Sequence, residues 1–330
     1  MLSRRSFRRM LSRRSFVATS AALALPAQAQ APWPFKPIKL VVPYAPGGST
    51  DVVGRVIAEY LGQRLGQNIV VENRPGKGAT IGTSQVAKAA PDGYTLLVSN
   101  ISAFAIAPPL YSDLDYDPVA DFAHISLASF NPSVLVVNPA FEARTLADYI
   151  AYARANPDKL AFATSGPGSS NHILGVMLAM VSDTRLVHVP YRGAGPAMQD
   201  VIAGNVPSML DSLPSAAPHI KAGKVRALAV SGAERNPAFP EVPTMKEQGY
   251  PGLVSYSWFG LSAPAKTPAL IVERLAAEMQ VVLKHPDVVR RWQEIGAESS
   301  TMTPAQYGAF VKAELEKATA AVKASGAKPE

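Results

Sequence analysis

From Ile38 onward, apolar positions follow two alternating rhythms. Ile38–Tyr44 is an apolar run with a β-branched centre, as in a buried strand. After the Gly47-Gly48 turn the spacing lengthens. Val52, Val53, Val56, Ile57, Tyr60 and Leu61 fall on one helical face, which Gly62 and Gly66 close. Asn68–Asn73 reads as the next strand and Thr80–Ala89 as a helix. A third strand, Tyr94–Ser99, is announced by Pro91-Asp92-Gly93. This βαβ rhythm predicts a parallel sheet covered on both faces.

The rhythm changes at Phe122–Val137, where two strand-like stretches meet at Asn131-Pro132. A second α/β series follows. Thr145 starts a helix with Asp148 at the capping-box position, and Asn156-Pro157 stops it. Strands are expected at Leu160–Thr164, Leu186–Pro190, Pro207–Asp211 and Val225–Ser231, with helices over Asn171–Val181, Pro196–Ala203 and Leu213–Ala222 between them. One more strand, Tyr256–Ala263, precedes a stretch that reads as helices only. Thr267-Pro268 and Thr303-Pro304 both read as an N-cap followed by proline at the first helical position, and Gln306 completes a capping box. Tyr307, Val311, Leu315, Ala318 and Val322 line one face of a long last helix.

The simplest architecture is two α/β lobes, each a mainly parallel sheet flanked by helices, with the chain crossing between them near residues 129 and 254. Residues 30–128 plus 254–330 would form lobe 1 and residues 129–253 lobe 2. Two crossings make a hinge with a cleft, where small ligands bind.

Composition sharpens this picture. Of 330 residues, 48% are hydrophobic and 17% charged, as in a globular protein, and cysteine is absent. That removes disulfides, thiolate metal sites and cysteine nucleophiles together. The net charge of +7 resembles a nucleic-acid signal until it is located. Six arginines lie within the first 14 residues; without them, 26 basic residues face 25 acidic ones. The basic excess therefore belongs to the N-terminus, and no nucleic-acid partner is expected.

Residues 1–15 are Arg/Ser-rich, Phe16–Leu25 is a short apolar run, and Pro26-Ala27-Gln28-Ala29 offers an Ala-x-Ala cleavage site. This is the plan of an export signal over residues 1–29, with cleavage after Ala29 and too few apolar residues to span a membrane. Ser12-Arg13-Arg14-Ser15-Phe16-Val17 resembles the twin-arginine motif, with a plain Sec signal as the alternative. Met1–Phe7 recurs as Met10–Phe16, so either methionine could start translation. The mature protein is expected in the periplasm.

Three loops could carry binding chemistry. Pro43–Asp51 (PYAPGGSTD) joins a strand to a helix, and Gly47 and Gly48 let backbone amides turn inward. It offers N–H groups and a helix dipole to a carboxylate or phosphate, or it is an ordinary capped βα turn. Thr164–Ser170 (TSGPGSS) repeats the construction ahead of the helix holding His172. In His188–Met198, Tyr191-Arg192-Gly193 is either a ligand wall or a solvent-facing corner. Asp211, at the next strand end, either accepts from a ligand or caps the following helix.

Enzyme readings fare worse. Gly76-Lys77-Gly78-Ala79-Thr80-Ile81-Gly82 follows a strand, but its third glycine falls one place late and Pro75 interrupts the turn, so no dinucleotide cofactor is expected. Neither a nucleophile elbow nor a Walker loop is present. The five histidines show no metal-ligand spacing. Ser169 and His172 read better as a cap and its neighbour than as nucleophile and base.

The segments PYAPGGSTD (43–51), ENRPGKGATIG (72–82), PDGYTLL (91–97), TSGPGSSNH (164–172), HVPYRG (188–193) and PSAAPHIKAGKVRALAVS (214–231) resemble, in this order, the periplasmic receptors of the tripartite tricarboxylate transporter family, or Bug receptors. The resemblance covers nearly the whole mature chain. It implies a two-lobed periplasmic-binding-protein fold that closes on a carboxylate-bearing solute, a membrane permease of that transporter type as partner, a monomer, and no cofactor, metal or catalysis. The rival is an extracytoplasmic α/β hydrolase or isomerase acting on a small carboxylate. By the match, the first two loops hold the carboxylate. The ligand-binding set is Tyr44, Gly47, Gly48, Thr50 and Asp51; Ser102; Thr164, Ser165, Gly166, Ser169 and His172; and Tyr191, Arg192, Gly193 and Asp211. Where relatives commonly carry Asn-Pro before Leu-Tyr, this chain has Ala107-Pro108-Pro109-Leu110-Tyr111, and Asn100–Ile106 is unusually apolar for a pocket border. Both departures lean toward an apolar or aromatic carboxylate.

Overall fold

The computed structural model describes residues 33–325; the export-signal reading of residues 1–29 lies outside them. Strands β1 (Ile38–Val42), β2 (Ile69–Asn73) and β3 (Thr95–Asn100) pair in parallel in the order β2-β1-β3. Helices α1 (Ser49–Leu65) and α2 (Thr80–Ala87) connect them, as the βαβ pattern predicts. On α1 the side chains of Val53, Val56, Ile57 and Leu61 are buried. Gly66 ends it in the left-handed conformation, φ +64°, that a side chain disfavours.

Strand β4 runs unbroken from Phe122 to Val137. The Asn131-Pro132 step does not interrupt it, because the strand changes partner there. Up to Pro132 it pairs antiparallel with β9 (Tyr256–Pro264), and from Ser133 with β7 (Ser208–Ser212) and β8 (Arg226–Val230). A proline without an N–H is tolerated where the ladder is being handed over. The second sheet continues from β7 in parallel to β5 (Ala161–Thr164) and β6 (Val187–Pro190). Helices α4 (Leu146–Ala155), α5 (Ser170–Val181), α6 (Ala194–Ala203) and α7 (Leu213–Lys221) connect its strands. The Thr145/Asp148 capping box forms in both directions at the start of α4. Each sheet thus has a parallel half and antiparallel pairings where they join, β4 with β9 in the first and β4 with β7 and β8 in the second.

Ser231, beyond β8, ties the junction together. Its hydroxyl accepts from Ser133 N–H at 2.8 Å and donates to the Ser255 carbonyl at 2.5 Å. The two passages of chain between the sheets therefore run side by side.

Three helices and a short strand follow β9: α8 (Ala269–Leu283), α9 (Pro286–Glu294), β10 (Glu298–Ser299) and α10 (Pro304–Ser325). The helices-only expectation is corrected by β10, two residues that pair with β4. At α8, Pro268 occupies the N-cap position itself, and its carbonyl accepts the first helical bonds from Ile271 and Val272. At α10 the Thr303/Gln306 box forms as expected. Gly260 gives the Tyr307 ring access to the sheet: a Cβ there would lie 2.4 Å from the Tyr307 hydroxyl oxygen. That hydroxyl bonds Ser99 at 2.8 Å, seating α10 against β3 and β9.

Between β3 and β4 lies an element the sequence conceals. Asn100 caps a helical stretch, its Oδ1 accepting from Ala103 N–H at 3.1 Å. The stretch passes through a π-turn (Ser102–Ile106) into α3 (Ala107–Leu110). Pro108 and Pro109, which have no N–H to donate, follow directly on the π-turn.

Candidate functional site

Four helices of nine residues or more begin around one small cavity. Gly48, Ser49 and Thr50 come from the start of α1, Ser169, Ser170 and Asn171 from α5, Ala194 from α6, and Ser212 from the residue before α7. Tyr44, Asn100, Ser102, Ser165, Asp211 and Phe259 complete most of the lining. The cavity measures about 30 Å³ and no lysine or arginine lines it. Helix N-termini present partial positive charge, so the arrangement favours an anion without a cationic side chain.

Two donors in this wall lack partners. Asn100 Nδ2 and Tyr44 Oη are buried with no hydrogen bond. Ser102 lies close to the Tyr44 hydroxyl without hydrogen-bond geometry, and burial pushes the Tyr44 pKa far up, keeping it a neutral donor. Buried unsatisfied donors cost about 1–3 kcal/mol each, a cost that an acceptor in the cavity relieves. The serines are cross-linked. Ser49 Oγ meets Ser215 Oγ at 2.7 Å, Ser170 Oγ meets Ser257 Oγ at 2.9 Å, and Ser212 Oγ donates to Ser257 Oγ at 3.1 Å. Asp211 is 1% exposed. Burial raises its pKa to about 7 against the pull of Ser215, the Ser212 N–H and Asn171.

Of the residues singled out in the sequence, Tyr44, Gly48, Thr50, Ser102, Ser165, Ser169 and Asp211 line this cavity. The others stand elsewhere. Gly47 N–H donates to Asp51 Oδ2 at 3.0 Å. Burial alone would raise the Asp51 pKa, but Arg55, this N–H and Asn73 hold it below the ordinary carboxylate range. Asp51 thus braces its own loop. Thr164 Oγ1 bonds His188 Nε2 at 2.7 Å, and His172 stacks on His188 with ring centres 4.1 Å apart. Gly166, Tyr191 and Arg192 border a wider mouth of about 750 Å³, which shares Tyr44 and Ser165 with the cavity and carries Lys77 on its rim. Gly193 faces the first loop, where a Cβ would meet Ala45 N at 3.0 Å.

The first loop and the Tyr191–Gly195 corner touch directly. Ala45 N–H donates to the Arg192 carbonyl at 3.3 Å. The Gly76–Gly82 run likewise serves contact between loops: at Gly78, φ +60°, a Cβ would lie 2.6 Å from the Pro167 carbonyl. Sequence reasoning missed Ser49, Asn100, Ile101, Ser170, Asn171, Ala194, Ser212 and Phe259. The Asn100 signal was available, since asparagine before an apolar helical stretch is a cap.

The Ser169 hydroxyl accepts from His172 N–H at 3.2 Å, while His172 Nδ1 accepts from Gly168 N–H at 3.3 Å. They are a cap and its neighbour. Among the described residues, no three His, Asp or Glu side chains gather to hold a metal ion.

Residues 53–327 match the model of the tripartite tricarboxylate transporter family receptor. The chain is 38% identical to protein BugT of Bordetella pertussis, over 95% of this chain and 96% of that one. Two similar solved structures, each with a TM-score of 0.87 and covering 90% of this chain and all of the other, are the periplasmic binding protein BugD at 36% identity and an R. palustris protein with adipate at 34%. With its two joined α/β sheets and its cavity of converging helix starts, the chain belongs to the tripartite tricarboxylate transporter receptors, the Bug-type periplasmic solute-binding proteins.

Proposed function

We propose that this receptor binds an organic carboxylate in the cleft between its lobes and delivers it to a tripartite tricarboxylate-type membrane permease. The observation that carries the reading is the convergence of four helix N-termini and two unpartnered donors, Tyr44 Oη and Asn100 Nδ2, on one cavity without cationic side chains. Adipate on a relative of the same fold supports it. Arg192 at the mouth would draw an anion inward, while Lys77 there is paired with Asp113.

The small cavity takes little more than a carboxyl group. A second cavity of about 140 Å³ shares Ile101 and Ser170 with it; Ile106, Ile173, Leu174 and Met177 form an apolar wall, and the Glu314–Lys317 ion pair also lines it. Its apolar wall can take the hydrocarbon part of a ligand. The ligand we favour therefore carries a carboxylate head and an apolar or aromatic body.

Lobe 1 (residues 30–128 plus 254–330) and lobe 2 (129–253) would close on it about the paired crossings. The receptor would act as a monomer in the periplasm, exported by the twin-arginine route and cleaved after Ala29. The hydrolase alternative needs a base held against a nucleophile, and Ser169 and His172 do not supply that contact. Native mass spectrometry of protein purified from its own periplasm tests the reading. It should show one bound carboxylic acid; a cationic or sugar ligand would refute the proposal.

A further inference from the structure

We infer that Asp211 holds its proton when a carboxylate occupies the cavity, donates a hydrogen bond to that anion, and thereby couples binding on the alkaline side to uptake of up to one proton. The inference rests on the carboxylate reading above and assigns one residue within it.

Asp211 stands at the end of β7, on the cavity wall. Its Oδ2 accepts from Ser215 Oγ at 2.6 Å and its Oδ1 from Ser212 N–H at 2.8 Å, with Asn171 beside it. These partners are neutral, and Asp211 has no ion-pair partner among the described residues. The packed elements bring no cation against it. Helix α1 contributes Ser49, bonded to Ser215, while Asp51 is turned to Arg55, Gly47 and Asn73. Helix α5 contributes Asn171 and His172, whose Nδ1 takes the Gly168 N–H. On α7 the titratable groups, His219 and Lys221, lie in the last turn, and opposite Asp211 on β4 stands Val134.

An anionic ligand in a cavity of about 30 Å³ therefore meets a buried carboxyl group with no countercharge. Two carboxylates confined to one low-dielectric space share a proton rather than both ionise. Each Asp211 oxygen already accepts one bond, and the protonated form still has an O–H to give. A ligand ammonium would instead pair with ionised Asp211. The converging helix starts and unpartnered donors oppose that alternative, because both favour negative charge. Burial supports the assignment by bringing the empty-site pKa to about 7, so the proton is readily available near neutrality.

Isothermal calorimetry with benzoate and adipate as probes, at pH 6 and pH 8, tests this on wild type and Asp211→Asn. Benzoate stays ionised over that range, whereas adipate carries some monoprotonated form at pH 6, so the proton count is read from benzoate. Wild-type affinity should fall about tenfold from pH 6 to pH 8. At pH 8 the heats in phosphate and Tris should differ by nearly one proton taken up per ligand. The Asn variant should show neither effect and bind at pH 8 at least as tightly as wild type. Proton-neutral, pH-independent binding by wild type would overturn the inference. So would loss of acid binding in Asp211→Asn, above all if wild type binds glycine, which would place a ligand cation on Asp211.

A second arm needs no ligand. A raised folded-state pKa contributes stability at low pH that is lost as pH rises to that pKa. Empty wild type should therefore fall behind Asp211→Asn in melting temperature from pH 5 toward pH 7, with the gap constant above. Ser215→Ala, which strips a donor from the ionised form, should move that levelling point to higher pH. A constant gap throughout would overturn the inference even if acids bind. If this arm behaves as expected and no acid of a mono-, di- and aromatic panel binds, the carboxylate reading fails, and the ligand half of the inference with it.

Discussion

At Ser169 one oxygen serves two ends: it caps α5 through His172 N–H and lines the cavity. Ser169→Ala should therefore cost about 1 kcal/mol of stability through the lost cap and weaken carboxylate binding about tenfold, or 1.4 kcal/mol. Denaturant unfolding and calorimetry separate the two effects. Unchanged affinity would mean that this hydroxyl only caps. The same pairing explains why the site was partly legible in the sequence. Residues that open a helix after a glycine turn announce themselves, so Gly48, Thr50 and Ser169 could be picked out. Which of several adjacent small residues turns inward depends on helix phase, and Ser49, Ser170 and Ser212 were missed on that account. Phe259 arrives from a distant strand, β9, through sheet pairing that no local pattern encodes.

At the scale of elements, the first loop and the start of α6 are packed against each other, and the proposed closure would depend on that approach. A Cβ on Gly195 would lie 2.1 Å from the Pro46 carbonyl oxygen, yet Gly195 has ordinary helical backbone that alanine accepts. Gly195→Ala should fold normally, because only the loop-to-loop approach is obstructed. It should bind carboxylate at least tenfold more weakly, consistent with an overpacking cost of about 1–3 kcal/mol. Wild-type affinity in this variant would show that the approach is not needed for binding. Capping residues made several elements readable in advance, as at Thr145 and Thr303. Proline misled once and concealed an element once. At Asn131-Pro132 it marks a change of strand partner, and at Pro108-Pro109 it sits inside a helix start. Both depend on tertiary neighbours, which override local propensity.

For the whole molecule, the proposed hinge closure would turn on β4, which passes from one sheet to the other beside the residue 255–257 return. Small-angle scattering with saturating benzoate or adipate should give a smaller radius of gyration than the empty protein. An unchanged radius with binding confirmed would mean a rigid receptor. The alternation of strand and helix periods made the two α/β series visible from sequence. The antiparallel junction was not, because periodicity reports burial and not strand direction.

Helix starts and neutral donors would make the cavity select a negative carboxylate. Thermal unfolding in the presence of mono-, di- and aromatic carboxylates, each beside its methyl ester or amide, tests it most directly. A ligand at one hundred times its dissociation constant adds about 2.7 kcal/mol, a rise of several degrees. At least one free acid should produce that rise and its masked analogue should not, since masking removes the charge that the dipoles favour. Esters or amides that stabilise the protein as well as their acids would contradict the account.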